Sequence, residues 1–159
     1  MNTVCCEDGH VKRLLINGIG GQMGSALVKA ISDSDCSFTI AGGVDPFCRE
    51  ARSYPIFASA SQVNITADVV IDFSVPKATE EILSFCLDQH IPAVICTTAL
   101  SDALMRKIES AAKQIPIFRS GNMSLGVNLM RVLIRQARQT LGEAFDIEII
   151  ETHHNRKKD

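Results

Sequence analysis

Short apolar runs alternate with helix-length amphipathic stretches along this chain, and that alternation constrains its fold more than any other feature. Lys12–Asn17, Phe38–Val44, Val69–Phe73, Pro92–Cys96, Ile115–Phe118 and Asp146–Glu151 have the length and character of buried strands. Between them, Gly20–Ser32 places Met23, Leu27, Ala30 and Ile31 on one helical face, and Pro76–Gln89 places Ile82, Phe85 and Cys86 on another. Pro76 suits a first helical turn. Ser101–Lys113 opens with a capping serine followed by Asp102. Val127–Leu141 repeats apolar residues at Val127, Met130, Ile134, Ala137 and Leu141. Residues 46–66 read as irregular, with a short extended piece at 54–57. Such alternation predicts an α/β fold: a doubly wound, Rossmann-type parallel sheet of about six strands, covered on both faces. Residues 1–11 are expected to be a flexible extension, 12–145 a dinucleotide-binding domain, and 146–159 the start of a second domain.

On such a sheet, ligands bind beyond the carboxyl ends of the strands. The loops after each predicted strand carry every chemically suggestive stretch of the chain. Gly18-Ile19-Gly20-Gly21-Gln22-Met23-Gly24 follows the first strand and opens the first helix. Gly18 permits a sharp turn, Gly21 permits backbone to approach a pyrophosphate at a helix N-terminus, and Gly24 permits close helix packing. Met23 stands where a strict G-x-G-x-x-G has its last glycine. Asp45 closes the next strand, where a carboxylate accepts from ribose hydroxyls and repels a 2′-phosphate. That favours NAD over NADP, and Arg49 is near enough to soften the preference. Phe73 can pack on a nicotinamide; Thr97 and Thr98 offer hydroxyls and backbone N–H groups. Ser120-Gly121-Asn122-Met123 has the small residues needed near a ring.

The stretch Thr152-His153-His154-Asn155-Arg156-Lys157 sets two imidazoles and an ammonium group in a polar loop. Imidazole exchanges a proton near neutral pH, and an ammonium group anchors a carboxylate or donates to a developing anion. Adjacent histidines with no third ligand do not read as a zinc site. The six cysteines, Cys5, Cys6, Cys36, Cys48, Cys86 and Cys96, form no C-x-x-C pair and read as reduced thiols of a cytoplasmic protein. A net charge of −2 gives no field for nucleic acid or an anionic membrane, and Arg131, Arg135 and Arg138 read as a solvated helix face. No metal is expected.

These motifs together resemble the 4-hydroxy-tetrahydrodipicolinate (dihydrodipicolinate) reductase family. The resemblance runs from Leu14 to Asp159 and is carried by residues 18–24, Asp72-Phe73-Ser74, Thr97-Thr98, residues 122–128 and residues 149–159. It implies a Rossmann cofactor domain followed by a mixed α/β domain that binds substrate and builds a homotetramer. It implies NADH- or NADPH-dependent reduction of a small dicarboxylate in lysine and diaminopimelate biosynthesis. His153 would be the acid/base residue, Lys157 the second proton donor and His154 a substrate-carboxylate ligand. Gly18, Ile19, Gly20, Gly21, Gln22, Met23 and Asp45 would hold pyrophosphate and ribose. Cys96, Thr97, Thr98, Ser120, Gly121, Asn122 and Met123 would surround the nicotinamide. Ala99 stands where the family has glycine, and Cys96 replaces a smaller residue. The family's Ser-Gly-Thr carboxylate segment would lie after Asp159, so the chain reads as a truncated, poorly active form. Two other functions fit parts of the pattern: a nucleotide-sensing module without catalysis, and another two-domain dehydrogenase.

Overall fold

The computed structural model describes residues 11–34, 37–150 and 152. They fall into two compact units, one ending at Gly121 and the other beginning at Asn122.

In the first unit six parallel strands form one sheet in the order β3-β2-β1-β4-β5-β6. The strands are β1 (Lys12–Asn17), β2 (Phe38–Val44), β3 (Ile56–Phe57), β4 (Val69–Asp72), β5 (Ala93–Ile95) and β6 (Ile117–Arg119). The helices are α1 (Gln22–Ser32), α2 (Pro76–Gln89) and α3 (Asp102–Ala111), with a short 3-10 turn at Ala60–Gln62. The predicted doubly wound sheet therefore forms. Its outermost member beside β2 is the short Ile56–Phe57 piece, and residues 146–150 take no strand conformation. A strand is stable only when its backbone groups find a ladder. Within the second unit, among the described residues, no neighbouring strand supplies one.

Side chains on β1 alternate between the two faces, as the period of a strand requires. Leu14 and Ile16 join Val69 and Ile71 beneath Leu27, Val28 and Ile31 of α1. Leu15 and Val70 point the other way, into a larger cluster with Ile82, Leu83 and Cys86 of α2 and Leu104 and Ile108 of α3. Each fully buried aliphatic side chain here contributes about 1.5–3 kcal/mol relative to exposure. Pro76 begins α2, and Ser101 caps α3 by accepting from the Leu104 N–H at 3.3 Å, both as their positions predict. At the amino end of β1, Arg13 pairs with Asp68 at 2.8 Å, and the guanidinium holds the Asp68 carboxyl down at about 2.

The buried face of α1 differs from the predicted one. Gly24, Leu27, Val28 and Ile31 face the sheet, whereas Met23 is 53% exposed and Ala30 faces solvent. Gly24 fixes that rotation. A Cβ there would lie 2.7 Å from the Ile19 Cα and closer still to the Gly18 carbonyl oxygen. The helix thus rests directly on the turn that precedes it.

The second unit carries α4 (Leu125–Leu141) and a 3-10 turn at Gly142–Ala144. Ser124 caps α4, accepting from the Val127 N–H at 3.4 Å, and Asn122 Oδ1 accepts from the Ser124 N–H at 2.8 Å. Val127 and Ile134 are its half-buried positions, and Arg131, Arg135 and Arg138 are exposed. Among the described residues no helix is long and apolar enough to cross a membrane.

Gly24→Ala is expected to destabilise the first unit by about 1–3 kcal/mol, because backbone rather than a flexible side chain must yield. Urea denaturation of the variant measures this; an unchanged midpoint would show that α1 is free to shift.

Candidate functional site

The chain runs outward from β1 to β2 and β3, then crosses to β4 on the other side of β1. The carboxyl ends of β1 and β4 therefore flank a topological switch point, where open α/β sheets bind ligands. A cleft of about 600 Å³ opens there, lined by Gly18, Gly21, Asp45, Phe47, Phe73 and Lys77 among others. That volume is in the range of small-molecule sites.

Four of the predicted cofactor residues thus line one cleft. Gly18 makes the turn with φ of +77°, and a Cβ there would press on the Phe73 carbonyl at 2.8 Å. Gly21 is the N-cap of α1. It provides no capping side chain, and the first turn holds no acidic residue. The N–H groups of that turn lack intrahelical acceptors, and the helix dipole gives them a partial positive charge. This helix end is chemically suited to a pyrophosphate.

Asp45 tethers the glycine turn to the loop after β2. Its Oδ2 accepts from the Gly20 N–H at 3.0 Å, and its Oδ1 from the Phe47 N–H at 2.9 Å and the Cys48 N–H at 3.2 Å. Arg49 donates from Nη1 to the Pro46 carbonyl at 3.1 Å, which folds its cation back along the same loop. Ile19 is fully buried against Gly43, so only its backbone can serve a ligand. Gly20, Gln22 and Met23 are exposed around the same helix start.

The loops after β5 and β6 form a second cluster. The Cys96 N–H donates to the Asp72 carbonyl at 2.9 Å, and the Ser120 N–H to the Ile95 carbonyl at 3.1 Å. Gly121 lies beside Thr98, whose methyl carbon would be 3.9 Å from a Cβ on the glycine. Thr98 is exposed; Thr97 is buried, and its hydroxyl donates to Asp72 at 2.9 Å. Burial, aided by the Asp72 charge, pushes the Cys96 thiol up to about 11 and the Cys86 thiol up to about 12, so both stay protonated and inert near neutral pH. Cys48, Cys86 and Cys96 are free thiols. Asn122 and Met123 belong to the second unit, where Met123 is 43% exposed.

His153, His154 and Lys157 lie outside the described residues, as do Cys5, Cys6 and Cys36. Among the described residues, no three His, Cys, Asp or Glu side chains gather as a metal site.

The sequence reading missed a buried polar cluster beneath the cleft. Asp72, with no exposed surface, accepts at Oδ1 from Asn17 Nδ2 (2.9 Å), the Ser74 N–H (3.1 Å) and the Ser74 hydroxyl (2.5 Å). Its Oδ2 accepts from the hydroxyls of Thr79 (2.6 Å) and Thr97 (2.9 Å). A signal was present: Asn17 and Asp72 are polar residues that end the apolar runs Leu14–Ile16 and Val69–Ile71, and they pair in register.

Ala99, at the position noted as a departure from glycine, has φ of +54°. A left-handed alanine costs about 1–2 kcal/mol, partly offset by the extra unfolded-state freedom of glycine. Ala99→Gly is therefore expected to raise stability by about 0.5–1 kcal/mol, read as a higher denaturant midpoint. A lower midpoint would mean that the loop takes another conformation.

Comparison with known proteins bears on this geometry. The family model described as dihydrodipicolinate reductase, N-terminus, matches residues 12–123, and that described as dihydrodipicolinate reductase, C-terminus, matches residues 126–159. The 4-hydroxy-tetrahydrodipicolinate reductases of Caldanaerobacter subterraneus subsp. tengcongensis and Clostridium novyi are 42% and 38% identical to the chain over 147 residues. Both matches cover 92% of the chain, which spans 57% and 58% of those relatives. A dipicolinate-bound dihydrodipicolinate reductase from Paenisporosarcina sp. TG-14 shares the fold, with a TM-score of 0.69 and 22% identity over 80% of this chain and 54% of that one.

Proposed function

Because the chain belongs to the dihydrodipicolinate reductase family, we propose that it binds a nicotinamide dinucleotide and serves the reduction of 4-hydroxy-tetrahydrodipicolinate, through its dehydrated form, to tetrahydrodipicolinate. The observation that carries this reading is the single cleft shared by the glycine turn, the uncapped start of α1 and the Asp45 carboxylate. The dinucleotide, when bound, supplies the hydride.

The chain's own residues divide the remaining work. The first-turn N–H groups of α1 receive the pyrophosphate, and Gly21, whose own N–H donates to the Gly18 carbonyl at 3.1 Å, leaves room for its approach. A carboxylate has about four lone-pair sites. Backbone donors engage three of those on Asp45, which leaves it able to accept from a ribose hydroxyl. Phe47, 86% exposed at the cleft, and Val75, 62% exposed, offer apolar walls to a base. Phe73, Cys96, Thr98, the backbone of Thr97 (whose hydroxyl is held by Asp72) and the 120–123 segment take the nicotinamide side. His153 exchanges the proton that accompanies hydride transfer, Lys157 donates a second, and His154 binds a substrate carboxylate. These last three roles rest on the sequence pattern and the family.

Titration with NADH and NADPH, followed by nicotinamide fluorescence, tests the binding step. Both are expected to bind, NADH more tightly, since the Asp45 charge opposes a 2′-phosphate. Asp45→Asn should move the affinity ratio about tenfold toward NADPH, equivalent to about 1.4 kcal/mol. Absence of binding by either at millimolar concentration would overturn the reading. Where turnover is measured, His153→Gln should lower it about 10²–10⁴-fold and leave the dinucleotide Kd unchanged. A Kd that rises in step with the lost turnover would instead place His153 in cofactor binding.

A further inference from the structure

The five donors gathered on Asp72 exceed what holding two strand ends together requires. Burying a carboxylate is costly, and an apolar pair could join β1 to β4 at lower cost. What sets this carboxylate apart is where its donors lead. On the Oδ1 side, the Ser74 N–H fixes the Phe73–Ser74 peptide, and the Phe73 N–H is fixed in turn by the Asn17 carbonyl at 2.9 Å. Gly18 turns directly over that peptide: a Cβ on Gly18 would lie 2.8 Å from the Phe73 oxygen and 3.1 Å from the Ser74 Cα. On the Oδ2 side, the Thr97 hydroxyl fixes the segment that continues into Thr98. Thr79, near the start of α2, shares the same oxygen.

We propose that Asp72 is a positioning residue that couples the Gly18–Gly21 turn to the Thr97–Thr98 loop, so that the two are held at the separation a dinucleotide spans. The inference rests on the dinucleotide reading above. Asp72 touches no ligand. It acts through the Ser74 peptide on one side and the Thr97 hydroxyl on the other.

Thr97→Val removes one donor and keeps the shape of the side chain. It is expected to weaken NADH binding about tenfold and to change the Kd of ADP-ribose, which lacks the nicotinamide, less than twofold. Thr97→Ser should restore NADH binding. Asp72→Asn keeps an oxygen toward Asn17 and Ser74 and places an amide toward two hydroxyls that can rotate to accept from it. Thr79 already has a second acceptor in the Val75 carbonyl at 3.3 Å. This variant should fold; since it keeps the Oδ1 contacts and alters only the Thr79 and Thr97 side, it should weaken NADH and change the Kd of ADP-ribose less than twofold. Kd values are measured by calorimetry well below each variant's Tm, which is recorded in parallel. A merely structural role would lower Tm and leave these Kd values alone.

If the unaltered chain binds neither NADH nor NADPH, the dinucleotide reading fails and this inference falls with it. If the unaltered chain binds NADH and Thr97→Val binds it as tightly, the dinucleotide reading stands and the coupling is overturned. Equal losses in Thr97→Val and Thr97→Ser would overturn it as well. Should Asp72→Asn not fold, the Thr97 pair decides alone.

Discussion

The seam between β1 and β4 is the constraint on which the first unit depends. β1 is flanked by β2 on one side and β4 on the other, and its register with β4 sets Asn17 beside Asp72. Every strand further out is positioned by this central pair. The chain crosses the sheet here, so no loop bridges the tops of the two strands, and a cleft is left open. The same seam carries the polar cluster beneath that cleft. Packing, topology and site chemistry therefore meet at one place, and a change in the β1–β4 register would alter all three.

Much of this was legible in the sequence, for identifiable reasons. β1, β2 and α2 fall where apolar periodicity and Pro76 put them, because each has an unambiguous pattern with a clear stop. Ser101 caps α3 as its local chemistry dictates. The failures are those of long-range information. The buried face of α1 is set by contact between Gly24 and the preceding turn, and a hydrophobic count that gives glycine no weight selects Met23 instead. Residues 146–150 have strand composition but, among the described residues, no ladder partner in their own unit; Ile56–Phe57, within the expected extended piece at 54–57, is instead the segment that joins the sheet, beside β2.

The site divides in the same way. Gly18, Gly21 and Asp45 announce themselves because their residue types are nearly obligatory at a turn, a helix start and a strand end. Asn17 and Thr79 do not, and Asp72 stands out only within the Asp72-Phe73-Ser74 motif, since these polar side chains gain meaning only when folding brings Asn17 and Thr79 within 3 Å of the Asp72 carboxylate. Thr97 carries a mixed lesson: its position was legible, but its hydroxyl is engaged inward rather than toward the cleft. Family membership and local geometry complement each other here. The first underlies the roles proposed for His153, His154 and Lys157, and the second explains how the glycine turn is held.

The two margins of the sheet carry a further consequence. The outermost strands are two and three residues long, and each is preceded by a proline, Pro55 before β3 and Pro116 before β6. Short edges preceded by residues without an N–H give a foreign strand little to zip onto. Edge-to-edge growth, the usual route from a stable sheet to an aggregate, finds little backbone to extend at either margin.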